Sequence, residues 1–561
     1  MASARKYFKA ILPLRLEWEP CYVAVSESLP DPKVGDRVLV PLAGRKYHAV
    51  VSETDATPDI APSRIQNAIG PDEGLESISE EEIRFWRFLS DYYMVPVGEI
   101  YKIAYPATLI DSEKKKARSR ATKAEVSYRT HLDEDQKRII REVLALLSER
   151  TVLLQAEQRV QIYIELIKRT SGSVLLLCPE IDAQTEGRLR SAFGDEFASF
   201  GPDITAAARR DLARDLRQGR RRVIYGTRGA LFLPFSNLSE VIVDEEQDPR
   251  HKQENREPRM HTRDAAAILA SIYNAALLLG SGVPSLDSLY NARFGRYALV
   301  SAQEIGTFPL CRFEVIDTKA ELRKNGMRGN YSRILLARVI ESLRAGGKIM
   351  ILVPWNDTSE LEIELRELLA EAGIKRPAVK FKNVWKAAND DFRAFAVVAI
   401  IHAEYLVREN DFRGDEKAAR LLRGIASHCL TDGVKSGALL IQCTFTQGAF
   451  FRNSEELLAE RKAFGLPPFS RIVDIRFSDK NPDRLAARCE ELTRRLRNNL
   501  PRQGSPACSR INLMVQDDRI RVILPKDQNL SANKSALRLT VTNFCNERKY
   551  SAHICLDVDP A

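Results

Sequence analysis

The sequence has no paired cysteines. Its nine cysteines, at 21, 178, 311, 429, 443, 489, 508, 545 and 555, include no C-x2-C pair, so spacing writes neither a zinc ribbon nor a redox dithiol. They read as buried thiols of a reducing compartment. Long apolar runs are missing too. The most apolar stretch, 265–280, contains Ser271, Tyr273 and Asn274 and directly follows Arg263 and Asp264, which argues against a membrane span. The N-terminus, MASARKYFKAILPL, has basic residues but no apolar signal core, and the expected location is the cytoplasm. Glycine is absent from Glu99 to Ser171, which leaves no glycine-built phosphate cradle in that span.

What is present is 561 residues, 44% hydrophobic and 29% charged, enough for several domain cores. The 85 Lys+Arg exceed the 76 Asp+Glu by nine, a small excess that favours a polyanionic partner only weakly. Five stretches follow one another. Residues 1–108 alternate short β-type runs (Ala10–Leu14, Tyr22–Val25, Arg37–Pro41) with turns, then predict a helix over Glu80–Tyr93. Residues 109–131 form a polar linker whose basic run, Ser112–Lys123, suits either solvent or phosphate.

From 132 to 310 the pattern changes to helix–strand alternation. A helix is predicted at Asp133–Leu147, with strands at Val152–Leu154, Val174–Leu177, Val223–Tyr225, Val241–Val243 and Ala276–Leu279. Continuous apolar runs between amphipathic helices predict a parallel sheet covered on both faces. A second, smaller unit of this kind spans 311–450, with strands near Ile349–Val353, Val397–Ile401 and Ala438–Gln442, and 451–561 reads as α+β. Within the first unit, Val241-Ile242-Val243-Asp244-Glu245-Glu246-Gln247 sets acids at the carboxyl end of an apolar strand. In a phosphate-handling site the first acid would hold Mg²⁺ and the second would orient water.

Gly226-Thr227-Arg228 and Leu279-Gly280-Ser281 occupy the ends of the neighbouring strands, and in this order the chain resembles the PriA family of primosomal replication-restart helicases, in superfamily 2. The resemblance runs nearly end to end. It includes Gly35-Asp36-Arg37-Val38, Asp91-Tyr92-Tyr93, Leu132-Asp133-Glu134-Asp135-Gln136, His261-Thr262-Arg263-Asp264, Asp411-Phe412-Arg413 with Glu416-Lys417, Leu466-Pro467-Pro468-Phe469 and Asp557-Val558-Asp559-Pro560. It implies a β-rich domain for 3′ DNA ends, two RecA-like α/β lobes with the second reduced, and an α+β C-terminal domain. The acids Asp244 and Glu245 would be the remnant Walker B pair, and Gln136 and Arg159 the remnant nucleotide contacts. Gly44, Arg45, Lys46, Tyr92, Arg228 and Lys252 would be the DNA contacts.

The departures from the family pattern decide the functional expectation. The family's G-x-x-G-x-G-K-T phosphate loop is replaced by Gln155-Ala156-Glu157-Gln158-Arg159-Val160-Gln161, with Arg159 in place of the catalytic lysine and Val160 in place of the metal-binding hydroxyl. In the second lobe both arginine-finger positions become His428 and Thr431, and the winged helix and zinc module have no room. Around the loop after the acids, His251 and Met260 stand where the family has aromatics. Arg209–Arg222, with seven arginines and two aspartates, suits a DNA contact or an exposed helix face. The expected function is DNA binding in replication restart without ATPase or helicase activity, by a monomer that meets branched or 3′-ended DNA and other restart proteins. ATP, Mg²⁺ and zinc are not expected as cofactors. The alternatives are a 3′–5′ helicase with an atypical nucleotide site and a protein-binding scaffold.

Overall fold

Strand and helix positions follow the apolar patterns closely. The computed structural model describes residues 6–24, 29, 31–58, 60–113, 132–301, 313–387, 390–407, 412–429, 438–444, 453–500, 511–516, 518–547 and 553–560. Most of the basic run Ser112–Lys123, and also Asp411 and Thr431, lie outside them. The described residues fall into two compact units, one formed by 1–302 with 462–561 and the other by 303–461.

The first unit carries three sheets. At the N-terminus the antiparallel strands Cys21–Val23, Tyr7–Ile11, Arg45–Thr54, Arg37–Leu42 and Gly70–Pro71 lie in that order. The first strand begins at Tyr7 rather than Ala10, because Phe8, Ala10 and Ile11 supply its buried positions. The helix Glu80–Tyr93 packs beside this sheet. Ser79 and Glu82 close its first turn as a capping box, and Met94 in the left-handed region ends it.

The second sheet has seven strands, all parallel, in the order Tyr297–Ser301, Thr151–Gln155, Ala276–Ser281, Leu238–Asp244, Ser173–Leu177, Val223–Gly226 and Phe197–Phe200. Val152, Leu153 and Leu154 are buried, as are Leu278 and Leu279, which requires cover on both faces. The third sheet, antiparallel, orders Asn512–Gln516, Arg519–Pro525, Ser470–Ser478 and His553–Val558, with the helices Pro482–Asn499 and Leu530–Asn546 against it.

The second unit is a smaller parallel sheet in the order Phe313–Asp317, Ala438–Cys443, Val397–Ile400, Ile349–Val353 and Val379–Asn383. Both α/β lobes therefore have the wholly parallel sheets that the apolar runs predicted. Among the described residues no helix is long and apolar enough to cross a membrane.

Candidate functional site: a buried arginine among acids and a cleft beside the N-terminal sheet

The strand Thr151–Gln155 gives way to the helix Arg159–Ile167 through Ala156, Glu157 and Gln158 alone. Gln158 takes φ 25° and ψ 43°, and the Ala156 N–H donates to the Ser281 carbonyl at 3.1 Å, so the turn is pinned to the next strand. No ring of inward N–H groups can form across so short a turn.

The Arg159 side chain fills the place instead. It is 7% exposed and donates from Nη1 to the Ala156 carbonyl at 2.5 Å and from Nε to Asp244 Oδ1 at 2.8 Å, and its Nη2 pairs with Glu245. The Tyr163 hydroxyl donates to the same Asp244 oxygen at 2.7 Å. Gly280 permits this approach, since a Cβ there would come within 1.8 Å of the Tyr163 oxygen. Burial disfavours the Arg159 charge, yet Asp244 and Glu245 outweigh it and hold the guanidinium firmly protonated. Burial also pushes the Glu245 carboxyl above its ordinary range, and Arg159 opposes that shift.

This donor set does not fit Mg²⁺ with a nucleotide. An arginine already occupies Asp244 and Glu245, and no hydroxyl stands at Val160 to complete a hard-cation site. Among the described residues no cluster of three or more His, Cys, Asp or Glu could hold a metal ion.

The third acid has a different task. Glu246 is fully buried, accepts from the Ser285 N–H at 2.7 Å and from the Ser288 hydroxyl at 2.9 Å, and pairs with Arg263 at 3.0 Å. Gln247 bridges Glu245 and the Ser281 hydroxyl. Gln136, expected at the nucleotide, uses its amide oxygen on the Asp133 N–H at 3.2 Å and is buried as the capping box of its helix. The structure thus gives Gln136 a structural role in its own helix, where its amide oxygen already accepts one hydrogen bond.

The expected DNA contacts separate into two groups. Gly44 sits with Ala43 at the tip of a hairpin, both with positive φ (74° and 48°), and presents Arg45 and Lys46 fully to solvent. Arg228 is half-buried at the end of its strand and faces a pocket of about 370 Å³ with Arg250 and Gln253. Burial lowers its pKa with no acid to counter the effect.

Lys252 and Tyr92 are corrections. The Lys252 side chain is 1% exposed and bonds the Val558 carbonyl at 2.5 Å and Asp557 at 3.0 Å, so it anchors the C-terminal strand and cannot meet DNA. Tyr92 lies under Arg471, whose guanidinium is 4.2 Å from the ring centroid and donates to the hydroxyl at 2.7 Å. Asp264 and Asp559 also crowd that hydroxyl. It ties its helix to Arg471 of the C-terminal sheet, whose guanidinium covers the ring face. The Arg209–Arg222 run is a paired face: Arg217 meets Glu76, Arg220 meets Asp215 and Arg222 meets Glu196.

A cleft that composition did not reveal opens beside the N-terminal sheet, about 690 Å³ in volume. Leu16, Glu17, Trp18, Arg87 and Asp91 line it, with Arg538 and Leu539 from the C-terminal domain. Trp18 is 63% exposed, and Arg538 reaches Glu17 and Asp91, both at 3.3 Å. The only sequence signal was a tryptophan between two glutamates, outside any strand or helix period. In the second unit, Glu416 collects Arg461 at 2.6 Å, Arg420 at 3.4 Å and Arg413 at 3.9 Å, so these arginines face an internal acid.

Residues 11–106 match the family model of the PriA 3′ DNA-binding domain. The replication restart protein PriA of Rickettsia felis is 28% identical over 363 residues, 63% of this chain and 53% of that protein. The PriA of Haemophilus influenzae is 36% identical over 192 residues, 34% of this chain and 26% of that protein. The chain thus spans about half the length of the Rickettsia relative and less of the other. A DEAD box protein from Methanococcus jannaschii overlays with a TM-score of 0.32 at 13% identity, across 60% of this chain and 96% of that one. From its matching domain and these relatives, the chain is PriA-like.

Proposed function

We propose that this chain binds branched or 3′-ended DNA in replication restart, as a monomer acting with other restart proteins, and does not hydrolyse ATP. One observation carries the second half: Arg159 pairs with both Asp244 and Glu245 where a metal-bound phosphate would sit. A transferring phosphate needs positioned donors and a free metal ligand, and here the ligands are neutralised from within the chain. Loss of the phosphate loop, and His428 at a position where the family carries a catalytic arginine, point the same way.

The cleft at Trp18 supports the first half. It lies in the domain matched by the 3′ DNA-binding model, and its exposed indole offers a face for a terminal base. Glu17, Glu19 and Asp91 would repel a phosphate but accept a hydrogen bond from a terminal 3′-hydroxyl. The hairpin tip at Arg45 and Lys46 would take the backbone beyond it.

The deciding experiment is ATP turnover with Mg²⁺ on a forked DNA, beside binding of the same fork with a 3′-hydroxyl or a 3′-phosphate. The expected result is no DNA-stimulated turnover, tighter binding of the hydroxyl form, and loss of that preference in Trp18→Ala. Robust turnover that Asp244→Asn abolishes would overturn the motorless reading.

A further inference from the structure

The C-terminal sheet ends in an open edge that nothing above uses. Two apolar rows cross its strands: Leu556, Ile475, Ile520 and Val515 in one, and Val558, Val473, Val522 and Leu513 in the other. The first three members of each row are buried. The last is not: Val515 is 48% exposed and Leu513 half-buried, because the strand Asn512–Gln516 has no partner on its other side among the described residues. The opposite edge of the sheet is closed, since the Val558 carbonyl accepts from Lys252 at 2.5 Å.

Native edge strands are usually guarded by a lysine, a proline, a bulge or a covering element. This one has no guard of its own. Asn512-Leu513-Met514-Val515-Gln516 holds no charge and no proline, pairs with Arg519–Pro525 without a break in register, and leaves Met514 47% exposed on the other face. Alternate residues along it turn their N–H and C=O groups to the open side. A groove of about 730 Å³ runs between this strand and the helix Pro482–Asn499, lined by Ala486, Cys489, Thr493 and Val515 among others. The Cys489 thiol donates to the Gln516 carbonyl at 3.8 Å and so holds helix and strand together.

We propose that this edge receives an extended peptide segment of a partner protein, which adds to the sheet as a fifth strand. Backbone bonds to the open side supply affinity, and side chains at alternate positions supply specificity. Two apolar residues of the peptide, one position apart, extend the two rows and cover Val515 and Leu513. The groove's charges state the rest of the chemistry. Glu491 is paired with Arg494 and Arg495 at 2.8 and 2.7 Å, which leaves Glu490 and Arg497, about two turns apart, without an ion pair among the described residues. The peptide therefore carries an acid for Arg497 and a base for Glu490. Two glutamates in the lining disfavour a nucleic acid at this place.

The test is panning of a random-peptide library, of about twelve residues to exceed one strand length, on the full chain. Enriched peptides should alternate apolar with polar residues and carry an acid beside that run. The synthesised consensus should bind Val515→Lys about tenfold or more weakly than wild type, the loss of one central apolar contact. Val515 is half-exposed, so the variant keeps its fold, and circular dichroism verifies this. Arg497→Glu should invert the charge preference, favouring lysine in place of the peptide's acid. N-methylation of one alternate set of peptide amides should abolish binding, and of the other set should not, which is the signature of strand pairing. Forked DNA should bind Val515→Lys as it binds wild type, because the edge stands apart from the DNA reading. No enrichment, equal binding by Val515→Lys, or equal effects of the two methylated sets overturns the proposal. Self-association of the chain that Val515→Lys abolishes would assign the edge to a second copy, and weakened fork binding in that variant would assign it to DNA; either result also overturns it.

Discussion

Arg159 Nε donates to Asp244 Oδ1 at 2.8 Å across 85 positions of chain, and this pair gives Asp244 a structural partner. Its strength comes from burial. A charge pair so enclosed contributes little net when intact but leaves an uncompensated charge when one partner is lost.

Arg159→Ala should therefore lower stability by about 3–5 kcal/mol, because two carboxylates lose their counter-charge together. The denaturant midpoint of the full chain measures it. Adding Asp244→Asn and Glu245→Gln to that variant should restore much of the loss, since neutral amides no longer need the arginine. A triple variant that stays as unstable as the single one would show that packing, not charge, is the reason.

The hairpin and Lys252 make opposite predictions. Arg45→Ala and Lys46→Ala should leave stability within about 0.5 kcal/mol, as exposed sites do. Each should reduce the salt slope of fork binding by about 0.9 for one duplex phosphate contact. Lys252→Ala should do the reverse, destabilising the fold by about 3–5 kcal/mol as Asp557 loses its buried partner. Where the variant is folded, its salt slope should match the wild type.

Glu246→Gln should cost about 1.5–3 kcal/mol, since charged hydrogen bonds to Ser285, Ser288 and Arg263 are weakened at a fully buried site. Thermal unfolding measures it. Ser288→Ala, which removes only one neutral donor, should cost less than half as much.

Lys534 predicts a pH effect. Burial lowers its ammonium to about 8, where it faces the Tyr92 ring with Arg471 nearby. The depressed folded-state value means that the unfolded chain binds the extra proton. Stability should therefore rise with pH between about 8 and the unfolded lysine value of about 10.4. Lys534→Met should flatten that rise. Pulsed acetylation across the range should show this amine titrating near 8, well before the exposed lysines.

Much of the fold is written locally. Apolar runs such as Val174–Leu177 and Ile349–Val353 are the strands themselves, and the capping pair Asp133 and Gln136 opens its helix as its spacing requires. The missing glycines likewise announce a missing cradle. What replaces the cradle is not local, because Arg159 finds its acids only when the parallel strands Thr151–Gln155, Ala276–Ser281 and Leu238–Asp244 lie side by side. Lys252 and Tyr92 mislead for the same reason. Their residue types suggest a surface, while their partners Asp557 and Arg471 arrive from the far end of the chain. Trp18 gives no pattern signal because it belongs to no periodic segment.

The guanidinium lodged among the acids also has a historical consequence. Positions 159, 244 and 245 form one unit of inheritance: a chain that acquires a phosphate loop must first shed the arginine, and one that loses either acid leaves that arginine buried with half its counter-charge. Across relatives of this chain these three positions should change together or not at all, and each intermediate that breaks the set should be less stable than both of its neighbours. Such a barrier makes this arrangement hard to reverse by single steps.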